Sequence, residues 1–282
     1  MRSILHGLTR ADIDPDPFPH VVVDGALEPE LYRELAASMP PAEKLLRGRA
    51  AENNTPYRYS AEHILADTPP RWQEFTRLHT SREFFGEVVA LFGDTIRALH
   101  PALEARVGRR LEELRTSVRF VEPLADAALD CQITYGSPVT RATRGHRVHV
   151  DRQVALYAGL LYFRLGEDDS EGGDLELYRF RGAVRTYDEG RFVDDALVEK
   201  VKTVRYAANR LVFFIHSPEA LHGVSVRSVT PHPRLHVNFL AEFAERFWEL
   251  PDGTYRTHRT DTTRPIGPMR PIGPITPLEP RR

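Results

Sequence analysis

From about Val118 onwards the chain is written in short β-rich runs, and this punctuation limits the possible fold more than any other feature. The runs "CQITY", "ALYAGLLYF", "DLELYRF", "AVRTY", "KVKTVRY", "RLVFFIH" and "RLHVNFL" follow one another with Gly, Pro, Asp or Asn turns between them. Strands of this length at this spacing predict an all-β barrel or sandwich, with any helices packed outside it.

The helices lie upstream. In "TSREFFGEVVALFGDTIRALH" the apolar positions Phe85, Val88, Val89, Phe92, Ile96 and Leu99 repeat at helical spacing, and Thr80 and Glu83 stand as a capping box. Before it, "DPDPFPHVVVDGALEPELYRELAASMPP" reads as a short strand over His20 to Asp24. A helix follows with Pro29 in its first turn, where a missing N–H costs nothing, and it ends before Pro40. Residues 41–70 look polar and irregular. Residues 246–282, which repeat "RPIGP" twice, read as an extended proline-rich tail. The expected organisation is one domain over 1–282: a strand and helix region at 17–117, a β core at 118–245, and the tail.

Composition matters mainly for what it excludes. With 282 residues, 41% hydrophobic and 28% charged, the chain can bury a substantial core. Its 38 basic and 40 acidic side chains give a formal charge of -2, which argues against a nucleic-acid partner or an anionic membrane surface. Cys131 is the only cysteine, so no internal disulfide can form. The opening "MRSILHGLTRADIDPD" is interrupted by polar residues before a signal or membrane segment could form, so a cytoplasmic location is expected.

The stretch "GHRVHVDR" holds the densest chemistry: His146, His149 and Asp151 among Arg144, Arg147 and Arg152. On a strand, side chains two apart share a face. His149 and Asp151 can therefore meet one ion, whereas His146 should point elsewhere unless the strand bulges there. A chain with 12 histidines is expected to contain roughly one such His-x-Asp pair by chance, so a further ligand must come from elsewhere. Downstream, "NRLVFFIHSPEALHGVSVRSVTPHPRLHVNFL" offers His216, His222, His232 and His236.

Taken in order, these pieces resemble the Fe(II)- and 2-oxoglutarate-dependent oxygenases, in particular the prolyl-hydroxylase-like branch and its bacterial small-molecule hydroxylases. The similarity runs over about residues 17–245. It is carried by His149-x-Asp151, by "GGDLELYRF", by His222 in "LHGVSV" and by Arg234 opening "RLHVNFL". The resemblance implies a mainly β fold with flanking helices, a double-stranded β-helix (jelly-roll) core with the N-terminal helices outside. It implies Fe(II) on His149, Asp151 and His222, a facial triad that leaves three positions open for 2-oxoglutarate and O2.

The far carboxylate of 2-oxoglutarate would then need a planar bidentate cation, the role the resemblance assigns to Arg234. Where relatives often carry serine or threonine two residues later, this chain has His236. In "RLHVNFL" Leu235, Val237 and Phe239 should face one way and Arg234, His236 and Asn238 the other. Tyr135 is a further candidate for the cosubstrate; Gln132, Asn238, Arg144, Arg147 and Arg152 are candidates for substrate. His216, His146 and His232 are read as structural or surface residues.

The implied reaction is hydroxylation of an unactivated C–H bond in a small molecule, such as an amino acid or natural-product intermediate, with succinate and CO2 released. The intact Asp151 argues for hydroxylation over halogenation. A hydroxylase of a protein or carrier-bound residue and a non-catalytic jelly-roll binding module are the alternatives.

Overall fold

The computed structural model describes residues 1–251 apart from 189, so most of the proline-rich segment assigned to 246–282 lies outside the described residues. The N-terminal region contains β1 (His20–Asp24), α1 (Pro29–Ala37), α2 (Ala42–Leu46), β2 (Pro56–Tyr59), α3 (Ala61–Asp67), α4 (Pro70–His79), α5 (Arg82–Leu99), α6 (Leu103–Val107) and β3 (Thr116–Val118). Eight strands follow: β4 (Ala127–Gly136), β5 (Thr143–His149), β6 (Ala155–Tyr162), β7 (Leu175–Phe180), β8 (Val198–Val204), β9 (Arg210–Ile215), β10 (Leu221–Arg227) and β11 (Arg234–Phe243).

These eight strands form a jelly-roll. One sheet runs β1-β9-β6-β11-β4-β2, with β3 joining β4, and the other runs β5-β10-β7-β8. Successive strands of the core mostly switch sheets, so core strands pair antiparallel, only the short β3 joining β4 in parallel, and most strands nearest in space are distant in sequence. That is why β5 and β10, more than 70 positions apart, can place side chains against each other.

Each strand of the larger sheet has two different faces. On β11, Leu235, Val237 and Phe239 join the main hydrophobic core, where Phe239 lies 5.9 Å from Phe75 of α4. On β9, Phe213 stacks on Phe92 of α5 at 5.8 Å. The helices therefore cover the outside of this sheet, as the apolar stripe of α5 predicts. The opposite face looks into the jelly-roll and carries polar residues.

Several local expectations change. The helix over 82–99 is capped by Ser81, whose Oγ accepts from Phe84 N–H at 3.1 Å. Thr80 instead ends α4 and donates to the Thr76 carbonyl at 2.8 Å, so the Thr80–Glu83 capping box does not form. The segment 41–70 is not irregular: it holds α2, β2 and α3. The run "AVRTY" pairs in no strand and belongs to a loop between β7 and β8 that folds back along β5 through the bridge His149↔Phe192. Among the described residues, no helix is long and apolar enough to cross a membrane.

Candidate metal centre

His149 closes β5, His222 opens β10, and the two are direct cross-strand partners with ring centroids 4.3 Å apart. Asp151 lies two residues beyond the end of β5. Its Oδ1 is 3.8 Å from His149 Nε2 and its Oδ2 is 3.6 Å from His222 Nε2. One ligand atom from each of the three residues lies within 4.8 Å of the others.

Both imidazoles are aimed in the same way. Nδ1 of His149 sits 2.8 Å from the Arg147 carbonyl, and Nδ1 of His222 sits 2.9 Å from the Ala220 carbonyl. A carbonyl can only accept, so each Nδ1 carries the proton and each Nε2 presents a lone pair to the centre. Burial, reinforced by the neighbouring His222, holds His149 well below the usual histidine range, so it stays neutral and able to ligate. Burial alone would push Asp151 up, but the surrounding His216, His222 and His149 outweigh it, and its carboxyl is held below the usual carboxylate range. Two imidazoles presenting Nε2 and an ionised carboxylate on one side of a cavity suit a divalent transition-metal ion with open positions.

His216 is a fourth member of this cluster. Its Nε2 lies 3.3 Å from Asp151 Oδ2, and it is almost fully buried. It stands outside the converging ligand set and lies against the Asp151 carboxylate. His146 also departs from expectation. Between His222 and Val224 on β10, the pairing on β5 advances from His149 to His146, so β5 carries an extra residue. The bulge cancels the odd spacing and brings His146 into the same cavity, stacked on His149. His232, by contrast, is in a bend before β11.

Arg234, His236 and Asn238 all line the cavity, as their alternation predicts. Arg234 is buried; its guanidinium lies 5.0 Å from the ring centres of both Tyr162 and Tyr206, and its Nε donates to the Gly173 carbonyl at 2.7 Å. The Gly172-Gly173 turn makes this approach possible. Gly172 has φ +74°, and a Cβ there would sit 1.8 Å from the Val226 carbonyl oxygen. Nη1 of Arg234 is 3.3 Å from His236 Nδ1. Burial and the adjacent Arg234 push His236 well below the usual histidine range, so the neutral ring accepts from the arginine through Nδ1.

Other candidates go elsewhere. Tyr135 points from the opposite face of β4 into the hydrophobic core and does not line the cavity, because it alternates with the inward Thr134 and Gly136. Gln132 shares the inward parity but lies deeper, where its Nε2 donates to Asp130 at 2.7 Å. The arginines in and just before "GHRVHVDR" all meet acids: Arg144 with Asp195 at 2.7 Å, Arg147 with Asp188 at 3.9 Å, and Arg152 with Glu242. None of the three lines the cavity.

Arg58 and Arg191 do line it, and neither was a candidate from sequence. Arg58 lies on β2 between the core residues Tyr57 and Tyr59, an alternation too short to stand out. Arg191 has no periodic context. It is placed by the folded-back loop, with its carbonyl accepting from Val150 N–H at 3.0 Å.

No protein-family model and no curated protein matches the chain. Among solved structures it is similar to a prolyl 4-hydroxylase from Phytophthora capsici, at 15% identity and TM-score 0.48, over 80% of this chain and 59% of that one. It is similar to a Pseudomonas putida prolyl-4-hydroxylase at 15% identity and TM-score 0.45, over 84% and 99% of the two chains. It is also similar to SnoN, a non-heme alpha-ketoglutarate-dependent epimerase from nogalamycin biosynthesis, at 15% identity and TM-score 0.46, over 80% and 76%.

Proposed function

We propose that this protein is an Fe(II)- and 2-oxoglutarate-dependent oxygenase that hydroxylates a C–H bond of a small molecule. The observation that carries this reading is the convergence of His149, Asp151 and His222 at the wall of a cavity that also contains the buried Arg234. A metal-binding module needs the three ligands, but it has no use for a desolvated guanidinium in the same cavity.

His149 and His222 would hold the iron through Nε2, and Asp151 through a carboxylate oxygen that His216 keeps in place. Fe(II) bound there with 2-oxoglutarate and O2 supplies the oxidant, with succinate and CO2 as the cosubstrate products. Arg234 would take the far carboxylate of the cosubstrate: Tyr162 and Tyr206 pack against its guanidinium, and the Gly173 carbonyl occupies its Nε–H. His236 sets its orientation from the side, in the position where serine or threonine is common in similar enzymes.

The inward Thr134 and Asn238 have side-chain oxygens without a protein partner, which leaves them to contact ligand. We take the substrate to be a small molecule bound in the cavity that these residues line. Substrate classes such as amino acids or natural-product intermediates, and a cytoplasmic setting, belong to this proposal.

The test is succinate formation from 2-oxoglutarate with Fe(II) and ascorbate, together with mass spectrometry of a metabolite extract treated with the wild type or with Asp151→Ala. A wild-type-specific gain of one oxygen supports the reading. Absence of both metal-dependent 2-oxoglutarate binding and succinate formation leaves the jelly-roll binding module as the better account.

A further inference from the structure

The strand register sets the inward residues of the larger sheet in rows. Pro56, Gly136 and Arg234 form one row; Arg58, Thr134, His236 and Tyr162 form the next. Arg58 therefore stands on the same inward face as the arginine assigned to the cosubstrate, one row further along the sheet. Arg191 enters the same cavity from the loop that folds back beside Val150, next to the metal ligands. The site is thus approached by a guanidinium from each side.

These two arginines differ from the others around the motif. Among the described residues, neither Arg58 nor Arg191 has a carboxylate within ion-pairing distance, while Arg144, Arg147 and Arg152 each have one. Arg191 rests against the Phe192 ring at 4.8 Å. Arg58 is solvent-exposed and Arg191 half-buried, so both guanidiniums meet solvent at the cavity, where an entering anion can pair with them.

We infer that Arg58 and Arg191 form an oxyanion-binding subsite, and that the substrate is a small molecule bearing a carboxylate or phosphate group. This rests on the oxygenase reading for its role in catalysis but not for the binding itself. Charge balance points the same way. A divalent iron, ionised Asp151, doubly negative 2-oxoglutarate and Arg234 together carry no net formal charge, so the two remaining arginines are left uncompensated in the loaded cavity. An anionic substrate group held between them would neutralise the site and fix the rest of the molecule relative to the metal. The preference for anions would then come from β2 and the β7–β8 loop, while the metal and cosubstrate are held by the jelly-roll strands.

The experiment is calorimetric titration with inorganic phosphate and, separately, malonate, using the full chain loaded anaerobically with Fe(II) and 2-oxoglutarate, and the metal-free chain in parallel. Wild type should bind at least one of these anions in the loaded state, and the tighter of the two names the head group. Arg58→Gln and Arg191→Gln should each weaken that binding by about tenfold or more, the loss expected for a hydrogen bond to a charged group, whereas Arg152→Gln should leave it unchanged. No anion binding by wild type, or binding that survives both substitutions, overturns the subsite, as does binding lost only in Arg234→Gln. Anion binding at Arg58 and Arg191 without any metal-dependent 2-oxoglutarate binding would sink the oxygenase reading and leave the subsite standing. In the extract assay, fragmentation of the oxygenated product should reveal a carboxylate or phosphate group; a product with neither contradicts the proposal.

Discussion

The rings of His146 and His149 stack at 4.5 Å with an interplanar angle of 23°, although three positions separate them on β5. In a regular strand an odd separation would place them on opposite faces; the extra residue in β5 opposite Gly223 brings both inward. The centre thus has two histidines in contact, only one of which converges with Asp151 and His222. His146→Leu should retain one metal ion per chain, while His149→Leu should lose more than about a hundredfold in affinity. Equilibrium dialysis against Co(II) with metal analysis distinguishes the two. Equal losses in both variants would make His146 a ligand.

His216 tests the support behind the triad. Its Nε2 lies 3.3 Å from Asp151 Oδ2, in a setting where burial lowers its own titration to about 4 and keeps it neutral. A neutral imidazole can hold the carboxylate by donating one N–H without competing for the ion. His216→Phe fills similar space but cannot donate, and it should weaken metal binding about 10- to 100-fold while leaving one ion bound at saturation. Loss of stoichiometry would show that His216 ligates directly.

How far the sequence anticipates this centre depends on the distance over which each relation acts. His149 and Asp151 are close in the chain, and the alternation of "RLHVNFL" predicts the inward face of Arg234, His236 and Asn238, because such periodicity survives folding. The rhythm of short runs predicts a barrel or sandwich, and the jelly-roll is what the family resemblance implies. What cannot be read this way is pairing between distant segments. The bulge that turns His146 inward exists only against β10, and the acids that occupy Arg144 and Arg152 come from residues 195 and 242.

The same holds for Arg58 and Arg191. Arg58 sits in a four-residue strand inside a segment that looks irregular, because its pairing with β4 outweighs its weak local pattern. Arg191 is positioned by a loop without periodicity. Tyr135 went astray for a simpler reason: its neighbours Thr134 and Gly136 face inward, so it must face the core.

Arg234 gives a prediction about geometry instead of charge. Its guanidinium carbon lies 5.0 Å from the ring centres of both Tyr162 and Tyr206, with Nε committed to the Gly173 carbonyl. Lysine keeps the charge but has neither the plane nor the fork. Arg234→Lys should therefore weaken 2-oxoglutarate binding by about tenfold or more with metal affinity unchanged, measured by the metal-dependent absorbance of the anaerobic complex. Unchanged cosubstrate affinity would separate Arg234 from that role.

His79 offers a test of stability away from the metal. It is buried on α4, accepts from Ile4 N–H through Nε2 at 3.1 Å, and has Nδ1 2.8 Å from the Phe75 carbonyl, so it joins the N-terminal segment to the helix layer as a neutral ring. Burial lowers its pKa to about 4 in the folded protein, while the unfolded chain keeps the ordinary value of about 6.5. Between these values the unfolded state binds a proton that the folded state does not. Stability from this residue is therefore complete above about pH 6.5 and falls as the pH drops towards 4. The loss should reach roughly 2–3 kcal/mol at pH 4.5. His79→Gln can still accept from Ile4 N–H but does not titrate. Urea unfolding at pH 7.5 and 4.5 should therefore show the variant losing less stability on acidification than wild type by about that amount, with His146 and His216 titrating alike in both. Parallel losses in the two proteins would mean that His79 carries no part of the acid response.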